Sequence, residues 1–150
     1  MSEIFNGRYT AKTDGSFVVF LIGMRINRWW MPQKWLPVAL AMAPMLKTLY
    51  QHPEKGFLHG EFMLYQGGPV ILQYWRSLAD LERFARQPSD PHVGAWRAFN
   101  RAVGSDGSVG IWHETYQVEA ECTDTVYRNM PRFGLSAAFE HIQSDYPGAH

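Results

Sequence analysis

Residues 16–27, SFVVFLIGMRIN, limit the fold more than any other stretch, because they are apolar at both odd and even positions. A strand with one solvent-facing side alternates apolar and polar residues. A short β-branched and aromatic run without alternation therefore predicts a strand buried on both faces. Residues 57–65 and 70–75 have the same character and flank the turn sequence QGGP, which predicts a β-hairpin. The sheet formed by these strands must be covered on both sides.

The segment of residues 28–52 predicts a helix from residue 35 onward, since Met, Leu and Ala dominate it. Pro37 is tolerated in a first turn, where its missing N–H has no helical partner. Pro44 is internal and is expected to kink or split the helix, because it removes a hydrogen bond to Leu40 and clashes there.

Two further helices and a strand are predicted downstream. Residues 77–87 carry a capping-box pattern and an apolar stripe, residues 90–104 begin with Asp-Pro and end at glycine, and residues 108–121 form the last strand. The order strand, helix, strand, strand, helix, strand is that of an α+β, ferredoxin-like fold. We expect a four-stranded antiparallel sheet with helices on one face. The chain 1–150 is interpreted as one domain, with residues 1–15 as a lead-in and 122–150 as a C-terminal tail that closes with a short helix.

The composition excludes several classes of protein. Lys plus Arg and Asp plus Glu are both 14, and this balance argues against a nucleic-acid partner. Cys122 is the one cysteine, which excludes an intramolecular disulfide and a cysteine metal cluster and suits a reducing compartment. No secretory signal is visible, and no apolar run reaches the roughly 20 residues of a transmembrane helix. We expect a cytoplasmic protein with no membrane span and no metal site.

The cover for the second face of the sheet is expected to be another copy of the chain. Helices cover only one face of a ferredoxin-like sheet, and the first three strands lack a polar side. Two such sheets packed face to face bury both apolar sides. The sequence therefore predicts a homodimer.

Several segments resemble a known superfamily. QYWRSLADLERFAR (73–86) and HVGAWRAFNRAVG (92–104) resemble the dimeric α+β barrel proteins of the antibiotic-biosynthesis-type monooxygenase group. GSVGIWHETYQV (107–118) with VYRNMPRFGL (126–135) resembles, more narrowly, the family named after a monooxygenase of fungal fumagillin biosynthesis. The resemblance covers residues 8–139. It implies a ferredoxin-like protomer, a sheet-to-sheet dimer and a pocket between sheet and helices. The wider superfamily includes cofactor-independent oxygenases, haem-dependent enzymes and binding proteins, so the fold does not select the reaction.

Two histidines are the candidate catalytic groups. His92 lies in the first turn of a predicted helix and shares a face with Trp96 and Phe99. An imidazole in a pocket wall acts as a general base, or ligates haem iron. His113 and Glu114 are neighbours on a strand and point to opposite faces, so one of them faces the helices and the other the dimer.

The candidate substrate-binding residues combine a cation with aromatic rings. Arg25 near the end of the first strand suits a carboxylate or an oxyanion, or pairs with Glu61 or Glu114. The remaining members of the predicted pocket are aromatic and are otherwise expected in the core: Phe62, Trp75, Trp96, Phe99, Trp112 and Tyr116.

Two smaller groups of residues carry weaker hypotheses. His59 and Glu61 share a strand face and favour a surface pair or an interface contact over a metal site, since two ligands lack a third. Trp29, Trp30 and Trp35 crowd around the start of the first helix. They suit a lid, or an edge that faces a membrane or a partner.

Three functions fit these observations. The leading hypothesis is a small monooxygenase-like enzyme that acts on a hydrophobic metabolite without flavin or metal, with His92 or His113 as the base. No cofactor is expected in that case. The alternatives are a haem-binding or haem-dependent enzyme, with His92 or His113 as the axial ligand, and a non-enzymatic dimer that binds a small apolar ligand.

Overall fold

The computed structural model describes residues 2–86, 97 and 100–145, which form two antiparallel sheets flanked by helices. The described strands are β1 Phe5–Lys12, β2 Ser16–Ile26, β3 Phe57–Tyr65, β4 Gly68–Trp75, β5 Val109–Glu119, β6 Tyr127–Met130 and β7 Glu140–Gln143. The described helices are α1 Pro32–Gln51, α2 Leu78–Arg86 and α3 Gly134–Ala138, with short 3-10 turns at Pro53–Lys55 and Ala120–Cys122. The strand orders are β3-β4-β2-β5 in the large sheet and β6-β1-β7 in the small one.

The large sheet confirms the predicted ferredoxin-like α+β fold. Strand β2 lies in the interior of this sheet, paired antiparallel with β4 on one side and β5 on the other. From Val18 to Ile26 its side chains on the helix side are buried, whereas on the opposite side Phe17 is buried, Leu21 is half-buried and Arg25 is exposed. We call these two sides the helix face and the open face. The predicted burial is thus complete on one face of β2 and reaches the other face over only part of the strand.

The β3–β4 hairpin turns through Gln66 and Gly67. Both residues have positive φ, 52° and 82°, as a two-residue type I′ turn requires. The next residue, Gly68, lies so close to β2 that a Cβ atom would be 2.1 Å from the Met24 carbonyl oxygen. The two glycines of the predicted turn thus have different roles. Gly67 adopts the positive φ of the turn, and Gly68 allows β4 to approach β2 closely.

A register shift in β3 changes the predicted faces of that strand. The sequence groups Phe57 with His59 and Glu61 on one face. In the structure the pairing with β4 slips between Phe57 and His59. Phe57 therefore points to the helix face and contacts Trp75, whereas His59 and Glu61 lie on the open face.

Helix α1 is one continuous helix, so the predicted split at Pro44 does not occur. The helix begins at Pro32, which takes the first-turn position expected for Pro37; Pro37 lies in the second turn. Both internal prolines are exposed. Solvent on the exposed side of a helix can satisfy the carbonyl groups that a proline leaves unpaired, and this reduces the cost of the missing bonds. Val38, Met42, Met45 and Leu49 form the buried side against the sheet.

The helix predicted at 77–87 begins with the expected capping box. Ser77 Oγ accepts the Asp80 backbone N–H at 3.1 Å and donates to Asp80 Oδ2 at 2.9 Å. The helix predicted at 90–104 is described only near its end, where residues 100–103 are helical and Gly104 has φ +67°. His92, Trp96 and Phe99 lie outside the described residues.

The small sheet has no counterpart in the sequence predictions. The lead-in contains β1, and the tail contains β6, α3 and β7, with β1 paired to both tail strands. Leu135 of α3 is buried with Phe17 and Tyr74 on the open face of the large sheet. One end of that face is therefore covered by the chain itself, and only the rest of it supports the expectation of a partner copy.

Candidate functional site

A cavity of about 450 Å³ lies between the helix face of the large sheet and α2. Its apolar wall is formed by Phe20, Leu78, Leu81 and Phe84 together with Ala85. Its polar wall is formed by Gln73, His113, Thr115 and Gln117, with Glu82 and Arg86 at the rim. The size is within the usual range for small-molecule sites, and so is the mixture of many apolar and few polar groups.

The position of α2 over this cavity depends on Asp80. Its carboxylate is buried and accepts hydrogen bonds from Arg76 Nε at 2.8 Å and Arg83 Nη1 at 3.1 Å. The Arg76 guanidinium is the main cause that holds the pKa of Asp80 below its ordinary value, with Ser77 contributing. Gly56 packs beneath this group, where a Cβ atom would lie 2.6 Å from Asp80. These contacts fix the first turn of α2 and with it the apolar wall.

The polar row comes from the alternation of β5. His113, Thr115 and Gln117 point to the helix face. The sequence predicts opposite faces for His113 and Glu114, and the structure shows that His113 is the one that faces the helices. The His113 ring lies 5.8 Å from the Phe20 ring. In the part of the chain that the structure describes, no hydrogen bond reaches either ring nitrogen of His113. This imidazole is thus available to a ligand in the cavity.

Three of the predicted binding residues lie away from this cavity. Trp75 is fully buried and donates its Nε1–H to Gln73 Oε1 at 2.8 Å, so Gln73 stands between it and the cavity. Phe62 lies beside α1 on β3. Arg25 donates to the Asn27 side chain at 2.6 Å and not to Glu61 or Glu114.

Trp112 and Tyr116 lie on the open face. Tyr116 donates its hydroxyl to Glu114 Oε2 at 2.5 Å, and this bond raises the pKa of Tyr116. The Trp112 ring crosses β2 at Gly23, where a Cβ atom would be 2.8 Å from the indole. The predicted aromatic set is therefore divided between two faces of the sheet. Of the predicted site residues that the structure describes, His113 alone lies in the wall of the α2 cavity.

Thr115, Gln117 and Gln73 are cavity residues that the sequence predictions did not assign to the site. The same alternation that places His113 on the helix face of β5 also places Thr115 and Gln117 there. Gln73 sits in an apolar strand, where a buried amide needs partners. All three residues are found by listing the polar residues at those alternate positions of each strand whose side chains point to the helix face.

A second polar group joins β3 to its neighbours. His59 Nε2 lies 2.5 Å from Glu61 Oε1, which also accepts the Gly134 N–H at 2.9 Å. Tyr50 donates its hydroxyl to the Gly60 carbonyl at 2.7 Å and accepts the Gly60 N–H at 3.1 Å. The bonds from Tyr50 satisfy backbone groups at the edge of β3, and the bond from Gly134 attaches α3 to this strand. Among the described residues, no group of three or more His, Cys, Asp or Glu side chains is placed to hold a metal ion.

A family model for monooxygenase af470-like proteins matches residues 17–135. The chain belongs to the monooxygenase af470-like family. This result confirms the resemblance to monooxygenases of this group. A comparison with curated proteins found no match.

Comparison with solved structures supports the fold. An aldoxime dehydratase, OxdRE in complex with butyraldoxime, is 19% identical with a TM-score of 0.59, and the match covers 77% of this chain and 35% of that one. A second aldoxime dehydratase is 17% identical with a TM-score of 0.62, over 87% and 42% of the two chains. This chain thus spans less than half the length of both. SnoaB, a cofactor-independent oxygenase from Streptomyces nogalater, is 14% identical with a TM-score of 0.48, over 67% and 91%.

Proposed function

We propose that this chain is a small monooxygenase-like enzyme that acts on a hydrophobic metabolite in the α2 cavity. The observation that carries the proposal is an imidazole, His113, without a hydrogen bond among the described residues, at the wall of a mainly apolar cavity. Membership of a monooxygenase-like family supports it. An apolar wall selects an apolar substrate, and an unpaired imidazole supplies one proton-transfer group.

The proposed reaction needs no flavin or metal, because the substrate itself reduces oxygen. His113 removes a proton from an activated methylene group, and the resulting carbanion transfers electrons to O₂. One oxygen atom is inserted as a carbonyl, and the other leaves as water with the two methylene hydrogens. Thr115 and Gln117 follow His113 on the same face of β5 and donate hydrogen bonds to the oxygen on which negative charge develops.

The test is oxygen consumption with a panel of phenolic and polycyclic substrates that contain an activated methylene group. We expect His113→Ala to lower kcat by about 10²–10⁴-fold, the usual effect of losing a general base. His52→Ala is the matched control, since His52 bonds to Glu54 at the surface beyond α1. His92→Ala is the third variant, because His92 is the other candidate base. An unchanged rate in both His113→Ala and His92→Ala would refute the proposed chemistry.

Haem binding is a second candidate for the same site. An imidazole in an apolar cavity also suits axial ligation of haem iron, and bound haem would supply redox chemistry there. Titration with hemin, followed by the Soret absorbance of the haem, tests whether the protein binds haem. A Soret shift that is lost in His113→Ala supports haem ligation by His113, and the absence of a shift dismisses haem. A chain with neither turnover nor haem would instead be a ligand-binding protein.

We also propose that two copies pair through the uncovered end of the open face, in the cytoplasm. A cavity of about 500 Å³ there is lined by Leu21, Met63, Tyr65 and Trp112 with Glu114. A second copy would bury these apolar side chains. Light scattering on the wild type should give twice the chain mass, and Trp112→Glu should give a monomer. A monomeric wild type would refute the pairing.

A further inference from the structure

The outward face of α1 lacks the polar side chains of an ordinary surface helix. Residues 35–46, WLPVALAMAPML, contain no charged, amide or hydroxyl side chain. The exposed positions between Lys34 and Lys47 are all apolar: Leu36, Pro37, Leu40, Ala43 and Pro44. Leu40 is 65% exposed. A helix that is apolar on its buried and its outward side needs a cover for both.

The apolar surface continues from α1 onto β3. These elements run antiparallel, since Tyr50 near the end of α1 bonds to Gly60 near the start of β3. An apolar groove of about 540 Å³ separates them and includes Ala43 and Phe62. Phe62 is 60% and Leu64 is 78% exposed. The patch is thus an extended surface and not one stray side chain.

Two tryptophans extend the patch at the start of α1. Trp29 and Trp30 are 62% and 76% exposed in the segment before the helix. Trp29 packs edge-on against Trp35, which donates its indole N–H to the Trp29 carbonyl. Indole rings prefer the boundary between water and lipid, because they combine an apolar body with a polar N–H.

The charged residues of α1 and of the segment before it are all positive. No Asp or Glu occurs between Asp14 and Glu54 in the sequence, while Arg28, Lys34 and Lys47 flank the apolar face. Asp106 approaches Lys34 at 3.6 Å across the surface. Cations beside exposed Trp and Leu side chains are the pattern of elements that lie on an anionic lipid surface.

We propose that this patch, formed by Trp29, Trp30, the outward face of α1, Phe62 and Leu64, docks the protein on an anionic lipid bilayer. In the described part of the chain, no helix is long and apolar enough to cross a membrane. The helix therefore lies parallel to the bilayer surface. The apolar side chains enter the headgroup boundary, and the flanking cations contact lipid phosphates.

A bilayer fits this surface better than a second copy does. Two α1 faces related by a twofold axis and packed antiparallel would bring Lys34 of one copy toward Lys47 of the other. Asp106 offsets part of this repulsion at Lys34, but α1 itself contains no acid. Anionic headgroups supply the missing negative charge.

The test is flotation of the full-length protein with vesicles of phosphatidylcholine alone or with about 30% phosphatidylglycerol, at low salt. We expect binding to the anionic vesicles, weakened by high salt. Trp30→Ala and Leu40→Gln should each weaken binding about tenfold, since each removes a large exposed apolar group that docking would bury. Lys47→Gln should weaken it about fivefold on anionic vesicles only.

Val126→Gln and Lys12→Gln are the matched controls, because both residues are exposed and lie in or beside the small sheet. They should bind as the wild type does. Circular dichroism verifies that each variant is folded, and Trp30 is exposed enough for its replacement to be tolerated. Absence of vesicle binding by the wild type would overturn the proposal. The proposal would also be overturned if Leu40→Gln had half the wild-type mass in light scattering and bound vesicles as the wild type does. The patch would then join two copies of the chain.

Discussion

The buried carboxylate of Asp80 gives the sharpest test of how the α2 cavity is held in place. Asp80→Asn keeps the shape of the side chain and the N–H bond to Ser77, and removes the negative charge. The charge is shared by hydrogen bonds from Arg76, Arg83 and the Ser77 hydroxyl. The substitution therefore isolates the electrostatic part of the α2 anchor.

The expected cost is about 2 kcal/mol. A hydrogen bond to a buried charged group contributes about 1.5–3 kcal/mol. However, the Arg76 and Arg83 side chains are 61% and 63% exposed, so solvent screening limits each ion pair to about 0.5 kcal/mol. The bond from the Ser77 hydroxyl supplies the rest. For a chain of this length, a change of this size lowers Tm by about 4–8 °C.

The pH dependence separates this explanation from a simple loss of packing. Because the folded-state pKa of Asp80 is lowered from its ordinary 3.8, the stabilisation is present above that value. It is lost as the pH falls through the folded-state pKa. Urea unfolding of wild type and Asp80→Asn should therefore show a gap at pH 7 that closes in acid. Asp14→Asn, at an exposed position, should show almost no gap. A gap that is the same at pH 7 and pH 3 would refute the electrostatic account.

Three further predictions concern the sheet. Gly23→Ala places a methyl group 2.8 Å from the Trp112 ring. It should lower the free energy of unfolding, measured by urea unfolding, by about 1–3 kcal/mol. An unchanged urea midpoint and unchanged Trp fluorescence would contradict the packing of Trp112 over β2. Burial raises the pKa of Tyr74 to about 12, so stability from its neutral phenol is present below pH 10 and lost between about pH 10 and 12. Ultraviolet titration should show a tyrosine that ionises near pH 12 and is missing in Tyr74→Phe, and an identical curve for both proteins would count against the burial of Tyr74. Tyr50→Phe removes the hydroxyl bonded to Gly60 and should cost about 1 kcal/mol; hydrogen exchange at the Gly60 amide should be faster, and unchanged protection would show that the edge of β3 does not depend on this bond.

The predictions that succeeded rest on local signals. The Ser77–Asp80 capping box and the Gly67 turn involve residues at most three positions apart, so their sequence patterns specify their geometry. The alternation in β5 placed His113 and Glu114 on opposite faces for the same reason. Of the kink or split predicted at Pro44, the split was wrong, because the rule assumes that the lost hydrogen bond has no substitute, and at an exposed position solvent can supply one.

The aromatic residues of the candidate site were harder to place. Trp75, Trp112 and Phe62 have similar side chains and similar strand neighbours in the sequence. They occupy the core, the open face and the α1 groove, respectively. The register shift in β3 and the order of the strands decide among these places, and neither is a property of one segment.

The sequence by itself determined the ferredoxin-like order of strands and helices and the apolar character of both faces of β2, because period, caps and turns are encoded within short windows. The tertiary structure alone decided what lies on the open face. Strand β1 is polar and pairs with segments far along the chain; Thr10 bonds to Thr125 across 115 positions. No local pattern specifies such a pairing, because its stability comes from backbone hydrogen bonds and from the burial of Leu135 on the large sheet. The α2 cavity depends likewise on β5 and α2 meeting in space, and this makes His113 a site residue.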